Sequence, residues 1–241
     1  MPAHVVTYAT HAQGLFDALV QNELGVEVEV LGWGVPWTGF WDKFKGVHAF
    51  ARTCAREDVI IFVDGFDSRI ARAPSVAVRR WRQMPCDVLV SNEKCPWYIR
   101  RRIFGTCERG HTANAGMYMG SAWAVTEMTR LLVATGETYD QIAMNNLCRR
   151  LPFRVRVDAE EEVFRNVIWS NGESDDGDGR HAVFVSYPWG THEDVRYKIL
   201  RSAQDVHLAR YFIPELVVVL LALVCLVALV VRRRRRRGAL A

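Results

Sequence analysis

Val59-Ile60-Ile61-Phe62-Val63-Asp64-Gly65-Phe66-Asp67 is the stretch on which the fold turns. Five apolar, mostly β-branched residues run without interruption and end in two aspartates three positions apart. An apolar run of this length reads as a strand buried on both faces, the kind found in the middle of a parallel sheet. In open α/β sheets, ligands bind just beyond the carboxyl ends of such strands. Two carboxylates placed there can hold a hard divalent cation, and the cation can hold a diphosphate. The stretch therefore predicts a metal-dependent enzyme acting on a nucleotide-linked substrate.

Working outward, strand and helix patterns alternate. Pro2 to Thr10 reads as an opening strand, and Leu15, Phe16, Leu19 and Val20 form a helical stripe between Gly14 and Glu23. Val26 to Leu31 alternates valine with glutamate, the pattern of a half-exposed strand. Residues 32–39 form a loop of turn residues and aromatics, and a helix from about Lys45 to Ala55 leads into the Val59 strand. A strand at Val88 to Ser91 and helices at Ala122 to Ala134 and Tyr139 to Leu147 continue the alternation, which predicts an α/β sheet. Asn171 to Arg180 is acidic and Gly-rich and reads as a loop.

The net charge of +4 is concentrated at one end. Six of the 31 basic residues form the run Arg232 to Arg237, which leaves 25 against 27 acidic residues, a balance of −2. The folded part has no general cationic surface, which argues against nucleic-acid binding. Before the arginines, Leu216 to Val231 carries no polar side chain. Sixteen helical residues span about 24 Å, and including Tyr211 to Ile213 brings the span close to the ~30 Å of a bilayer core. The sequence thus predicts a domain over 1–205, a transmembrane helix over 211–231 and a basic tail over 232–241. The arginines place the tail in the cytosol, whereas Met1 to Thr7 has no basic segment followed by an apolar one. Both topologies stay open. The six cysteines show no metal-type spacing, and buried free thiols fit as well as a disulfide or two.

Several constellations can carry chemistry beside Asp64 and Asp67. Thr7-Tyr8-Ala9-Thr10 ends the first strand, where backbone and hydroxyl groups can receive a nucleobase and ribose, with Tyr8 stacking on the base. Trp33 and Trp37 are either covers for the core or a platform for a sugar ring. His111 to Gly120 is rich in small residues, and Asn114 within it can donate to a sugar hydroxyl or a phosphate; the alternative is a tight turn entering a strand. Asp140 is either the N-cap of a helix or a group that orients an acceptor. Asp158 to Phe164 reads as a solvated acidic turn with Phe164 packed inward. Neither GxGxxG nor GxxxxGK[ST] is present, which disfavours a dinucleotide fold and a P-loop enzyme.

Taken in order, these segments resemble the glycosyltransferase domain of the multifunctional procollagen lysyl hydroxylases. The resemblance runs through Val6 to Thr10, Val30 to Gly34 with Trp37, Phe62 to Asp67, and Ser91 to Glu93 with Cys95-Pro96-Trp97. It continues through Asn114 to Gly120, Asp140-Gln141, and Asp158 with Phe164-Arg165-Asn166, covering most of residues 4 to 200. It implies a GT-A fold, a Rossmann-like mixed sheet flanked by helices. It implies a manganese-bound UDP-glucose or UDP-galactose as donor, with hydroxylysine or galactosyl-hydroxylysine of a collagen-like protein as acceptor. Asp64 and Asp67 would ligate the metal, Thr7, Tyr8 and Thr10 would line the uridine site, and Trp37 with Asn114 would frame the sugar. Asp140 would lie on the acceptor side and Glu93 near the cleft.

The sequence departs from that family at the third metal ligand, a histidine. Ser186 stands at its place, with His192 six positions later as a substitute and His181 five before. No hydroxylase segment follows, so hydroxylation is not expected. The departure leaves a second expectation beside the enzyme: a catalytically inactive, membrane-anchored binding or scaffold protein of the same fold. On either expectation the chain belongs to the endoplasmic reticulum or Golgi membrane as a single-pass protein.

Overall fold

A computed structural model describes residues 1–94, 103–108, 110–137, 139–167, 182–187, 217–218 and 220–224. The chain divides into two compact units, Met1–Asp194 and Val195–Ala241. In the first unit, strands β1 (Ala3–Tyr8), β2 (Val28–Leu31), β3 (Val59–Val63), β5 (Val88–Asn92), β6 (Ala113–Ser121) and β7 (Val155–Asp158) form a six-stranded sheet in the order β2-β1-β3-β6-β5-β7. Strands β4 (Ser68–Ile70), β8 (Phe164–Asn166) and β9 (Phe184–Ser186) form a second sheet in the order β4-β9-β8. The helices are α1 (Phe16–Val20), α2 (Trp41–Ala51), α3 (Pro74–Gln83), α4 (Ala122–Val133) and α5 (Asp140–Leu147). The expected mixed α/β sheet flanked by helices is what the chain forms.

Strand β3 is buried along its whole length, as its unbroken apolar run requires. Its side chains alternate between two cores. Ile60 and Phe62 pack with Phe44 and Val47 of α2 and with Val125 and Met128 of α4. Val59, Ile61 and Val63 pack on the opposite face with Leu19 of α1, Val78 of α3, and Phe164 and Phe184 of the second sheet.

Five strands of the large sheet run parallel, and β6 alone runs against both of its neighbours. Its presence corrects the reading of His111 to Gly120 as a turn-like stretch. Alanine, glycine and asparagine are poor strand formers, but pairing on both edges decides the matter here. The small residues also have a packing reason, since a Cβ at Gly120 would lie 2.7 Å from the Asp87 carbonyl oxygen. The β5–β6 register slips close to the carboxyl edge: Val90 faces Tyr118, but Ser91 faces Asn114. The extra residues of this bulge include Gly116, a placement common beside functional sites.

The acidic turn also differs from its expected form. Phe164 is fully buried as anticipated, but Asp158 and Glu161 are buried too, at 3% and 2% exposure. Asp158 accepts the backbone N–H groups of Glu162, Val163 and Phe164 and so closes the turn from within. Glu161 pairs with Lys94 at 2.6 Å. These are structural carboxylates satisfied by donors, as buried acids must be.

Cys107 and Cys148 form a disulfide that ties the approach to β6 to the end of α5. Among the described residues, no helix is long and apolar enough to cross a membrane. Most of the segment expected to span one lies outside them; residues 217–218 and 220–224 of it are helical and expose their apolar side chains. The Cys95-Pro96-Trp97 cluster, Asn171 to Arg180, His181, His192 and the arginine run also lie outside the described residues.

Candidate functional site

Because β6 is reversed, the carboxyl edge of the large sheet gathers the ends of β1, β2, β3, β5 and β7 with the start of β6. Asp64 follows β3, and its backbone N–H donates to the Gly116 carbonyl at 2.8 Å. A Cβ on Gly116 would lie 2.7 Å from Asp64 Oδ2 and 2.9 Å from Asn114 Oδ1, so only glycine admits both side chains.

The centre of the site is a cation that the sequence analysis did not single out. Lys43 Nζ lies 2.8 Å from Asp140 Oδ2 and 3.4 Å from Asp64 Oδ1. Its signal was present: Lys43 occupies the inward stripe of α2 with Phe44, Val47 and Ala51, where a charged residue is out of place unless paired. Burial alone would push the Lys43 ammonium down, but Asp140 and Asp64 outweigh it and hold it well above its ordinary range. Its Nζ also lies 5.6 Å from the Phe44 ring centroid and 5.9 Å from that of Phe62.

Asp64 is the strained member. Burial first, and then Asp67 and Asp140, push its carboxyl up to about 7 against the opposing pull of Lys43. The side chain keeps 36% of its surface open, so solvent screens part of these interactions. Asp64 and Asp140 thus share one ammonium, and Asp67 acts on Asp64 from beside it. Carboxylate oxygens are the donors that a hard divalent cation prefers.

Asp67 is held from the second sheet. Its Oδ1 accepts the Ser186 hydroxyl at 3.1 Å and the Ser68 hydroxyl at 3.3 Å, and its backbone oxygen accepts the Tyr187 N–H. The position expected to answer the family histidine therefore does face Asp67, with a hydroxyl in place of an imidazole. His192, the expected substitute, lies outside the described residues.

Asp140 is not the N-cap of α5. Tyr139 takes that place, and Asp140 is the first helical residue with its side chain turned inward to Lys43. Glu93 Oε2 accepts from Asn114 Nδ2 and Gln141 Nε2, each at 2.9 Å, and brackets β6 to the start of α5. Asn114 Oδ1 accepts the Gly116 N–H. Glu93 and Asn114 thus brace the floor beneath Asp64.

Of the expected uridine residues, Thr7 is fully buried and its hydroxyl donates to the Val63 carbonyl at 2.8 Å. It locks the end of β1 to the end of β3 and has no hydroxyl proton left for a ligand. Tyr8 is boxed between Gly32 and Gly46, where a Cβ would lie 2.3 and 2.8 Å from its ring atoms. Its ring centroid is 5.9 Å from that of Trp37, which is 49% exposed. Thr10 bonds His11 Nδ1 at 2.9 Å. Asp42 fixes the Trp37 loop by accepting the Thr38 N–H and hydroxyl. Trp33 stacks on Phe16 at 5.1 Å and remains largely exposed.

No protein-family model matches this chain, and no curated protein matches it. On its own geometry the site is an acidic, lysine-centred cluster at a sheet edge, with Tyr8 and the half-exposed Trp37 packed together at the same edge.

Proposed function

We propose that the chain is a membrane-anchored, metal-dependent glycosyltransferase of GT-A type that moves a hexose from a UDP-sugar to a hydroxyl acceptor. The acceptor class follows from the resemblance: hydroxylysine or galactosyl-hydroxylysine of a collagen-like protein. The observation that carries the reading is the carboxylate group at the end of β3, where Asp64 is pushed up to about 7 by burial and by Asp67 and Asp140 despite the neighbouring Lys43. That excess of negative charge at a carboxyl edge suits a divalent cation and a diphosphate.

Asp64 and Asp67 would hold the manganese ion. Bound there, the ion supplies the positive charge that stabilises the departing UDP diphosphate. Tyr8 and Trp37 offer aromatic faces for the base and the sugar. Asp140 orients or deprotonates the acceptor hydroxyl, and Lys43 fixes its position relative to Asp64. Glu93 and Asn114 hold the floor so that these groups keep their spacing. The disulfide between Cys107 and Cys148 favours an oxidising compartment, which agrees with a lumenal domain and a cytosolic arginine tail in the endoplasmic reticulum or Golgi.

The test is release of UDP from UDP-glucose and UDP-galactose by the full chain, with Mn²⁺ and with chelator. Metal-dependent release is expected, and Asp64→Asn or Asp67→Asn should abolish it while leaving the circular dichroism spectrum unchanged. Equal turnover in both variants would sink the assignment. A second reading, an inactive glycosyltransferase-like binder, is favoured by the Ser186 hydroxyl on Asp67 where the family has a ligand. It is supported instead if the protein neither releases nor binds UDP with manganese present.

A further inference from the structure

At the opposite edge of the large sheet, three potential ligands from three segments converge. His4 lies in β1, Cys54 follows α2, and Asp58 immediately precedes β3. One ligand atom from each lies within 4.8 Å of the others. Asp58 and Asp64 are six positions apart, a distance of roughly 20 Å along an extended strand, so this cluster is separate from the carboxylates around Lys43.

The local contacts leave these groups underused. His4 Nε2 is shielded from solvent and has no hydrogen-bond partner, and its nearest acid, Asp58 Oδ2, is 3.7 Å away. A buried ring nitrogen without a partner is costly unless something else takes it. The Cys54 sulfur makes a long 3.6 Å contact to the Phe50 carbonyl and a hydrogen bond with Thr53. Asp58 Oδ2 accepts the Ala55 N–H at 3.0 Å, which fixes the carboxylate toward the cluster. The Phe50 ring packs edge-on against His4 and covers one side.

We propose that His4, Cys54 and Asp58 form a zinc site that clamps the start of β1, the end of α2 and the entry to β3. The donor set is one imidazole, one thiolate and one carboxylate, the mixture that zinc accepts and that manganese or magnesium does not select. Zinc bonds of about 2.0–2.3 Å arranged as a tetrahedron put ligand atoms about 3.4–3.8 Å apart. The cluster therefore needs to contract by about 1 Å, which rotation of the short Cys54 side chain can supply. The fourth position is left to water. The Cys54 thiol is pushed up by burial, with Asp58 and Glu29 adding to the rise and a Thr53 hydrogen bond opposing it. Metal-free Cys54 is accordingly a thiol, and zinc binding must displace its proton.

The test uses the full chain in detergent, stripped with chelator and titrated with Zn²⁺ and, separately, Co²⁺. One zinc is expected at the thiolate site, distinguished from any ion held by carboxylates alone by its proton release, seen as a buffer-dependent binding heat. The cobalt form should show a thiolate-to-metal charge-transfer band. Cys54→Ser should weaken zinc binding at least tenfold and remove the band, and His4→Gln should weaken binding comparably. Cys86→Ser, which lies outside the cluster, should leave both readouts unchanged. Undiminished binding in folded Cys54→Ser, binding lost in Cys86→Ser, or no zinc bound by the wild-type chain would each overturn the proposal. Should Cys54→Ser not fold, His4→Gln and the cobalt band of the wild type decide the matter.

Discussion

Lys43 carries more of the site than any single aspartate. It is the buried counter-ion of Asp140 and partly of Asp64, and removing one partner of a buried pair leaves the other charge stranded. Lys43→Met retains the apolar stem and deletes only the ammonium. Its expected cost is about 3 kcal/mol, the low end for such pairs because Asp64 is partly open to water; urea denaturation measures it. Asp64 has the opposite energetic sign. Its carboxyl titrates near 7 in the folded chain and lower when unfolded, so between those values the folded state binds the extra proton. Stability from this group therefore falls as pH rises through that window and is greatest at its acid end. In metal-free protein, Asp64→Asn should raise the Tm relative to wild type more at pH 8 than at pH 5. An equal difference at both values would mean that Asp64 is an ordinary surface acid. Both effects were hidden in the sequence, where Lys43 reads as one more charged residue near a helix start. Only the spacing of Phe44, Val47 and Ala51 marks its side of α2 as the inner one.

Among the elements, the ones dictated by strong local patterns were legible, and those decided by neighbours were not. Strand β3 was readable because an unbroken apolar run admits little else. Helices α4 and α5 fall at Ala122–Val133 and Asp140–Leu147, within a residue of their expected ends, since their periodicity is regular. Strand β6 escaped notice because its residues are chosen for closeness, with Gly116 against Asp64 and Gly120 against Asp87. Helix α3 was passed over although Pro74 at its first position is a start signal. The second sheet was passed over because its strands are three residues each and pair across long stretches of chain. For the site, the sequence offers Asp64 and Asp67 as metal ligands and Asp140 as an acceptor-side group, and in the fold Lys43 lies between Asp64 and Asp140, whereas the hydroxyl of Thr7 is committed to Val63. The disulfide acts at this scale as well. Cys107 and Cys148 are 41 residues apart, and closing a loop of that size is worth about 4 kcal/mol in the chain-entropy account. Cys148→Ala should lower stability by up to that amount, measured by chemical denaturation with and without reductant. Since α5 begins with Asp140, loosening its far end should also weaken UDP-sugar turnover.

For the whole molecule, the proposed membrane anchor makes a test of its own. If the arginine run holds the tail in the cytosol, protease added to sealed microsomes should trim only the end of the chain and leave the domain intact until detergent is added. A domain digested without detergent would place it in the cytosol and would rule out the proposed collagen-like acceptors. The single reversed strand has its own consequence at this scale. In a wholly parallel sheet every segment entering a strand starts from the far side, and the rim of the cleft is made only of departing chain. Here β5 leaves the cleft edge and β6 returns at the same edge, so the segment from Glu93 to Thr112 begins and ends on the rim. Its length can change without altering the course of any strand across the sheet. On the proposed function, one acceptor could thus be exchanged for another by rewriting that one span, with Asp64 and Asp67 left in place.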